Sequence, residues 1–202
     1  MKKLLRRLFA PKSASEIVVV SGLPRSGTSM MMKMLEAGGI PPLTDQERTP
    51  DIDNPKGYYE FERVKKLTDG DTLWVKEAQG KSVKVISALL QHLPSEYHYQ
   101  VIFMRRNLDE VIASQKRMLT HRQEEETNLS DETLNNLFTR HLAQIEGWIK
   151  QQPNMTLISV NYNQLLANPT KEVPALAAAI SQPLDQAAMI AVIDQQLYRQ
   201  RH

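Results

Sequence analysis

The chain has 202 residues, 41% apolar and 24% charged, with 25 Lys and Arg against 23 Asp and Glu and no Cys. That length fits one domain with a real core, and that apolar fraction excludes disorder as the main state. The missing Cys excludes a disulfide scaffold, Cys-based zinc or iron–sulfur sites and a thiol nucleophile, and a net charge of +2 is too small for a nucleic-acid footprint.

Residues 1–15 read as a basic segment ahead of a single domain over 16–202. Met1 to Ala10 is basic and amphipathic, but Arg6 and Arg7 interrupt the apolar run that a signal peptide needs. A surface-packed helix is expected there, with weak membrane-surface contact as the alternative. No stretch approaches the length of a membrane span. A cysteine-free chain of this kind suits the reducing cytoplasm.

Ile17 to Val20 is a short β-branched run, the pattern of a strand buried on both faces. Ser21 to Gly27 is a small-residue loop, and Thr28 to Ala37 reads as a helix ended by Gly38-Gly39. Pro41 to Gly57 is a long polar stretch with four prolines, a loop length that usually carries function. Tyr58 to Leu67 reads as helical, Thr72 to Val75 as a second strand, and Ser82 to Leu93 as a second helix. Tyr99 to Met104 is a third buried strand. Asn107-x-x-Glu110 has the spacing of a capping box for a helix running to about Leu119. Ser130 caps a long helix whose apolar positions run from Leu134 to Ile149 at helical spacing. Met155 to Val160 is a fourth strand, and two short helices close the chain. Strands alternating with helices imply an α/β fold, a doubly wound and mostly parallel sheet flanked by helices. Ligands in such sheets bind beyond the carboxyl ends of the strands.

The most informative segment is Ser21-Gly-Leu-Pro-Arg-Ser-Gly-Thr-Ser29, between a buried strand and a helix. Small residues let backbone N–H groups converge on an anion, and the helix adds its positive end. Gly22, Gly27 and Ser29 fit the spacing of a Walker loop, but Thr28 stands in the lysine slot and the cation is Arg25, inside the loop. None of the other expected strands ends in a clear Asp, and Glu77 is the sole carboxylate candidate for a magnesium site. The loop therefore suits phosphate better than it suits a magnesium triphosphate.

Pro24-Arg-Ser-Gly-Thr-Ser29 resembles the loop with which the sulfotransferase family holds the 5′-phosphosulfate of 3′-phosphoadenosine 5′-phosphosulfate, PAPS. The family's second motif, a strand-end Arg with a Ser eight residues on, is matched by Arg106 and Ser114. The resemblance implies that this pair holds the 3′-phosphate, although Leu108 stands where a Pro is common. An Arg fork and a hydroxyl suit a phosphate dianion. Asn161 to Pro169 is similar to the family's Tyr-x-x-Leu-x-x-x-Pro stretch, placing Tyr162 near the adenine, and Gly57-Tyr-Tyr-Glu60 resembles a segment of bacterial members. The implied fold is the P-loop NTPase-like sulfotransferase fold, with PAP as product and no metal required.

The resemblance also implies a base. Many members carry a His two residues after a strand-end Lys; the segment Val75-Lys76-Glu77-Ala78 keeps Lys76 as a contact for the sulfonate but has Ala78 for the His. Carboxylates are then the candidates: Glu60 first, because two aromatic residues precede and partly desolvate it, then Asp45 in the long loop, then Glu77. The five His residues form no metal-ligand pattern. Glu124 to Glu126 reads as a solvated run, and Lys116 and Arg117 are candidates for the acceptor entrance. The basic loop that closes over the 3′-phosphate in typical members has no clear equivalent; Tyr198 to His202 is a partial substitute. Expected partners are a small-molecule or carbohydrate acceptor and no nucleic acid, with a homo-oligomer as one way to complete the pocket. The alternatives are a P-loop kinase or nucleotide hydrolase using ATP, and a nucleotide-binding protein without catalysis.

Overall fold

A computed structural model of the chain describes residues 16–45, 57–122 and 129–193. The basic segment up to Ala10, most of the long loop, Glu124 to Glu126 and the Tyr198 to His202 tail lie outside the described residues.

Four strands form one parallel sheet: β1 (Ile17–Gly22), β2 (Ser82–Lys84), β3 (Tyr99–Arg105) and β4 (Met155–Asn161), in the order β2-β1-β3-β4. Six α-helices accompany them among the described residues: α1 (Thr28–Ala37), α2 (Leu108–Arg122), α3 (Asp131–Ile149), α4 (Tyr162–Ala167), α5 (Pro169–Ala179) and α6 (Gln186–Ala191). The uninterrupted apolar run of β1 follows from its place inside the sheet. Ile17 and Val19 enter a core with Trp74, Val111 and Leu142, while Val18 and Val20 face α1, α4, α5 and α6 through Met31, Leu165, Val173 and Met189. Both faces are dry, as a parallel sheet demands.

Four features differ from expectation. Thr72 to Val75 is not a strand: Leu73–Ala78 forms a 3-10 helix that buries Trp74, Val75 and Ala78, with the Trp74 indole N–H donating to the Asp71 carbonyl at 2.9 Å. Apolar residues at this close spacing satisfy one helical turn as well as they satisfy a strand. Ser82 to Leu93 is not one helix. Its first three residues pair with Val18 to Val20, and only Ser87–His92 winds into a 3-10 helix. Tertiary pairing with β1 overrides local preference here. Among the described residues three helices follow β4 rather than two, because Asn168 and Pro169 break α4 from α5. Glu62–Asp69, expected as part of a helix from Tyr58, is also 3-10.

From β1 the chain moves outward to β2 at the edge, then returns to β3 on the other side of β1. The order of strands therefore reverses between β1 and β3, the topology that favours ligand binding at the carboxyl ends of those strands. Register sets Gly22 opposite Met104 and Val20 opposite Lys84, so Lys84, the 23–27 loop and Arg106 issue from the same edge of the sheet.

Candidate functional site

The loop after β1 is built on backbone angles that few residues accept. Gly22 has φ 143° and Gly27 has φ 96°. A Cβ on Gly22 would meet the Met104 carbonyl at 2.7 Å, and one on Gly27 would meet the Tyr162 ring at 2.3 Å. Gly27→Ala therefore combines a left-handed backbone with a clash against a buried ring. It is expected to cost on the order of 3–5 kcal/mol, a drop in Tm of about 10 °C that calorimetry would register.

Arg25 takes φ 73°, unusual for a residue with a side chain. Two contacts hold it there. The Arg106 Nη1 donates to the Arg25 carbonyl at 3.0 Å, and the Arg25 Nε donates to Ser114 Oγ at 2.9 Å. Gln115 Nε2 adds a bond to the Pro24 carbonyl at 3.2 Å. The β3–α2 connection and the second turn of α2 thus grip the loop between them.

Gly27 caps α1 without a side-chain hydrogen bond, so the first-turn amides lack an intrahelical partner. Ser26 Oγ is buried and has no hydrogen-bond partner among the described residues. An uncapped helix start beside an orphaned hydroxyl, inside a turn that a Cβ would fill, is an anion cradle. Arg25 stands within it, Thr28 is buried, and Ser29 reaches outward to the Tyr58 carbonyl at 3.3 Å.

Arg25 links Arg106 to Ser114, its carbonyl accepting from the first and its Nε donating to the second. Arg106 is largely buried, its Nε donates to Glu110 Oε2 at 2.8 Å, and its guanidinium carbon lies 4.7 Å from the centre of the Tyr162 ring. Tyr162 is itself buried at the start of α4 and touches Gly27 as well. The capping box forms only by half. Asn107 Oδ1 accepts from the Asp109 and Glu110 amides, but Glu110 turns to Arg106 and the Asn107 amide donates to Asn163 instead.

Lys76 is not at a strand end. It is exposed on the 3-10 turn, as is Glu77. The strand-end lysine is Lys84, which the sequence hides because Ser82 to Leu93 reads as a helix. Its side chain is 11% exposed, and Nζ donates to Ser29 Oγ at 3.2 Å and to the Tyr58 carbonyl at 2.9 Å. Two residues beyond it stands Ile86, so this strand end carries no His either. The Glu60 carboxylate lies 3.9 Å from Lys84 Nζ and 3.9 Å from Lys65 Nζ. Asp45 sits close by: Thr44 Oγ1 donates to the Glu60 carbonyl and the Glu62 amide to Asp45 Oδ2, at 2.7 and 2.6 Å. Asp45 thus receives the first turn of a 3-10 helix. Tyr59, at φ 54°, donates its hydroxyl to Glu36 of α1; burial first, then that carboxylate, lift the hydroxyl well above its usual range and keep it a donor. Gly57 to Glu60 is therefore strapped to the cradle at several points.

Lys116 pairs with Asp131 at 2.5 Å, and His141 packs α3 against the 3-10 helix Ser87–His92 through Ser87 Oγ at 2.8 Å. Among the described residues no group of three or more His, Asp or Glu side chains gathers as a metal site, and no helix is long and apolar enough to cross a membrane.

The family described as the sulfotransferase domain matches residues 15–199. The chain belongs to the sulfotransferase family. Among solved structures, the sulfotransferase domain of the curacin biosynthetic pathway aligns with a TM-score of 0.51 at 16% identity, covering 89% of this chain and 78% of that one. The sulfotransferase domain of the Synechococcus PCC 7002 olefin synthase aligns with a TM-score of 0.51 at 14% identity, covering 95% and 86%. These neighbours share the P-loop NTPase-like fold. No curated protein matches the chain. The protein is thus a sulfotransferase-family transferase.

Proposed function

We propose that this sulfotransferase moves a sulfuryl group from PAPS to a hydroxyl or amine of a small-molecule or carbohydrate acceptor. The observation that carries the reading is the cradle at residues 22–29, with its orphaned Ser26 hydroxyl, its uncapped helix start and Arg25 in place of a Walker lysine. When bound, PAPS supplies the sulfuryl group and leaves as PAP. The residues from Pro24 to Ser29 hold the 5′ end: the Ser26 amide closes the turn onto the Leu23 carbonyl at 3.2 Å, and the amides of Gly27 and Thr28 with the Arg25 guanidinium meet the oxygen where charge develops. Arg106 and Ser114 hold the 3′-phosphate. Tyr162 touches both Gly27 and Arg106, so an adenine beside it lies next to both phosphate sites.

Lys84 takes the role expected of Lys76. It is a largely covered ammonium at the start of α1, and it offsets charge on the transferring sulfonate. Glu60, adjacent to Lys84, accepts the acceptor's proton. Asp45 is second to it because its carboxylate already receives the Glu62 amide.

One cation, Arg25, stands in the loop itself, and Lys84 and Arg106 flank it, so on this reading the nucleotide is bound without a divalent ion. The test is thermal: PAP at about 100 times its Kd should raise Tm by roughly 5–10 °C, more than ATP with magnesium. A larger shift with ATP and magnesium would make the protein a kinase or hydrolase. Binding of PAP with no sulfate passing from labelled PAPS to any acceptor in a library would make it a binding protein. Glu60→Gln should lower kcat by about 10²-fold while PAP affinity stays within about twofold. Unchanged turnover would transfer the base to Asp45 or Glu77.

A further inference from the structure

Glu110 is a buried carboxylate to which the proposed chemistry gives no task. It is 3% exposed, on the first turn of α2, and both its oxygens accept. Oε2 receives Arg106 Nε at 2.8 Å, and Oε1 receives Asn163 Nδ2 at 2.9 Å. Asn163 is fixed in turn, because its Oδ1 must accept the Asn107 amide, at 3.2 Å. The polarity of this chain runs one way, from backbone donor to Asn163 to Glu110, with Arg106 donating from the other side. A side chain at 110 must present two acceptors, and only a carboxylate does so. At the far end Arg106 Nη1 fixes the Arg25 carbonyl, so the same chain ends in the cradle.

We propose that Glu110, locked by Asn163, is the positioning residue for Arg106, and that it sets the preference for nucleotides carrying a 3′-phosphate. The inference rests on the PAPS reading above. The guanidinium is held by Nε on Glu110, by Nη1 on the loop and by its face on Tyr162, so its direction is decided before the nucleotide arrives. Pre-positioning of this kind lowers the cost of binding a phosphate dianion. A glutamine in place of Glu110 would set an amide N–H₂ against one of two donors. Asn163 cannot turn over to relieve it, because its own amide would then face the Asn107 N–H.

The readout is the ratio of affinities for PAP and for AMP, which lacks the 3′-phosphate. Loss of folded protein lowers both affinities together and leaves the ratio in place. Wild type should favour PAP. Glu110→Gln and Asn163→Asp should each reduce that ratio about tenfold, the first through a donor–donor conflict and the second through two facing carboxylates. The double variant E110Q/N163D restores every donor and acceptor, with the introduced glutamine donating its amide to the new carboxylate and accepting from Arg106 on its oxygen. Its ratio should return to within about threefold of wild type. If Glu110→Gln fails to fold, the double variant carries the test alone. A folded Glu110→Gln protein with an unchanged ratio overturns the inference, and so does a folded double variant with a ratio tenfold down. A wild type that binds PAP no better than AMP overturns the PAPS reading itself, and this inference with it.

Discussion

Arg25→Ala is expected to abolish detectable transfer of labelled sulfate from PAPS, a loss in kcat of about 10²–10³-fold or more. The guanidinium is the one cation inside the turn between Gly22 and Gly27, where the proposed reaction develops charge as the sulfur–oxygen bond breaks. Its removal leaves the loop intact on one side, because Arg106 holds the Arg25 carbonyl and not its side chain. The fold should therefore survive, and Tm should change by a few degrees at most. Ser114 loses its partner but keeps its place on α2. Arg25→Lys keeps the charge and gives up the directed Nε bond to Ser114, so it should retain part of the activity. A fully active Arg25→Ala enzyme would remove the cradle from the mechanism.

How much of this was legible in the sequence depends on where the information resides. β1, α1, β3 and the Ser130 cap were readable because each is decided locally, by a β-branched run, a helical apolar period or a single hydroxyl that accepts from the Thr133 amide. The cradle was readable for the same reason: its glycines, Arg25 and Ser29 are contiguous. Arg106 and Ser114 were readable as a spaced pair on a strand end and the next helix. What was not legible is what contacts distant in sequence decide. Ser82 to Lys84 becomes a strand because β1 offers it a ladder and Pro42 bridges to Ser82 beside it. The Arg25–Ser114 bond spans 89 positions and the Asn163–Glu110 bond 53, and no spacing rule announces either. The misread strand hid Lys84 directly, since a lysine in a supposed helix carries no expectation of lying in the ligand crevice.

That correction has a measurable consequence. Lys84→Met should lower kcat by about 10²-fold, while Lys76→Met should leave turnover and PAP affinity within about twofold of wild type. Lys84 is largely covered at the carboxyl end of β2 with its ammonium on Ser29 of the cradle helix, whereas Lys76 is exposed on a 3-10 turn. Methionine keeps the length and apolar body of the lysine stem, so packing against the sheet edge persists and the loss falls on the charge. The ammonium also anchors the Tyr58 carbonyl, two residues from Glu60. A drop confined to KM for the acceptor would therefore indicate that the strap had loosened, with the sulfonate contact assigned elsewhere. A drop confined to kcat at unchanged PAP affinity places the charge at the reacting centre. If instead Lys76→Met were the variant that failed, the strand-end assignment of Lys84 would be wrong, and the exposed 3-10 turn would have to close onto the cradle during turnover.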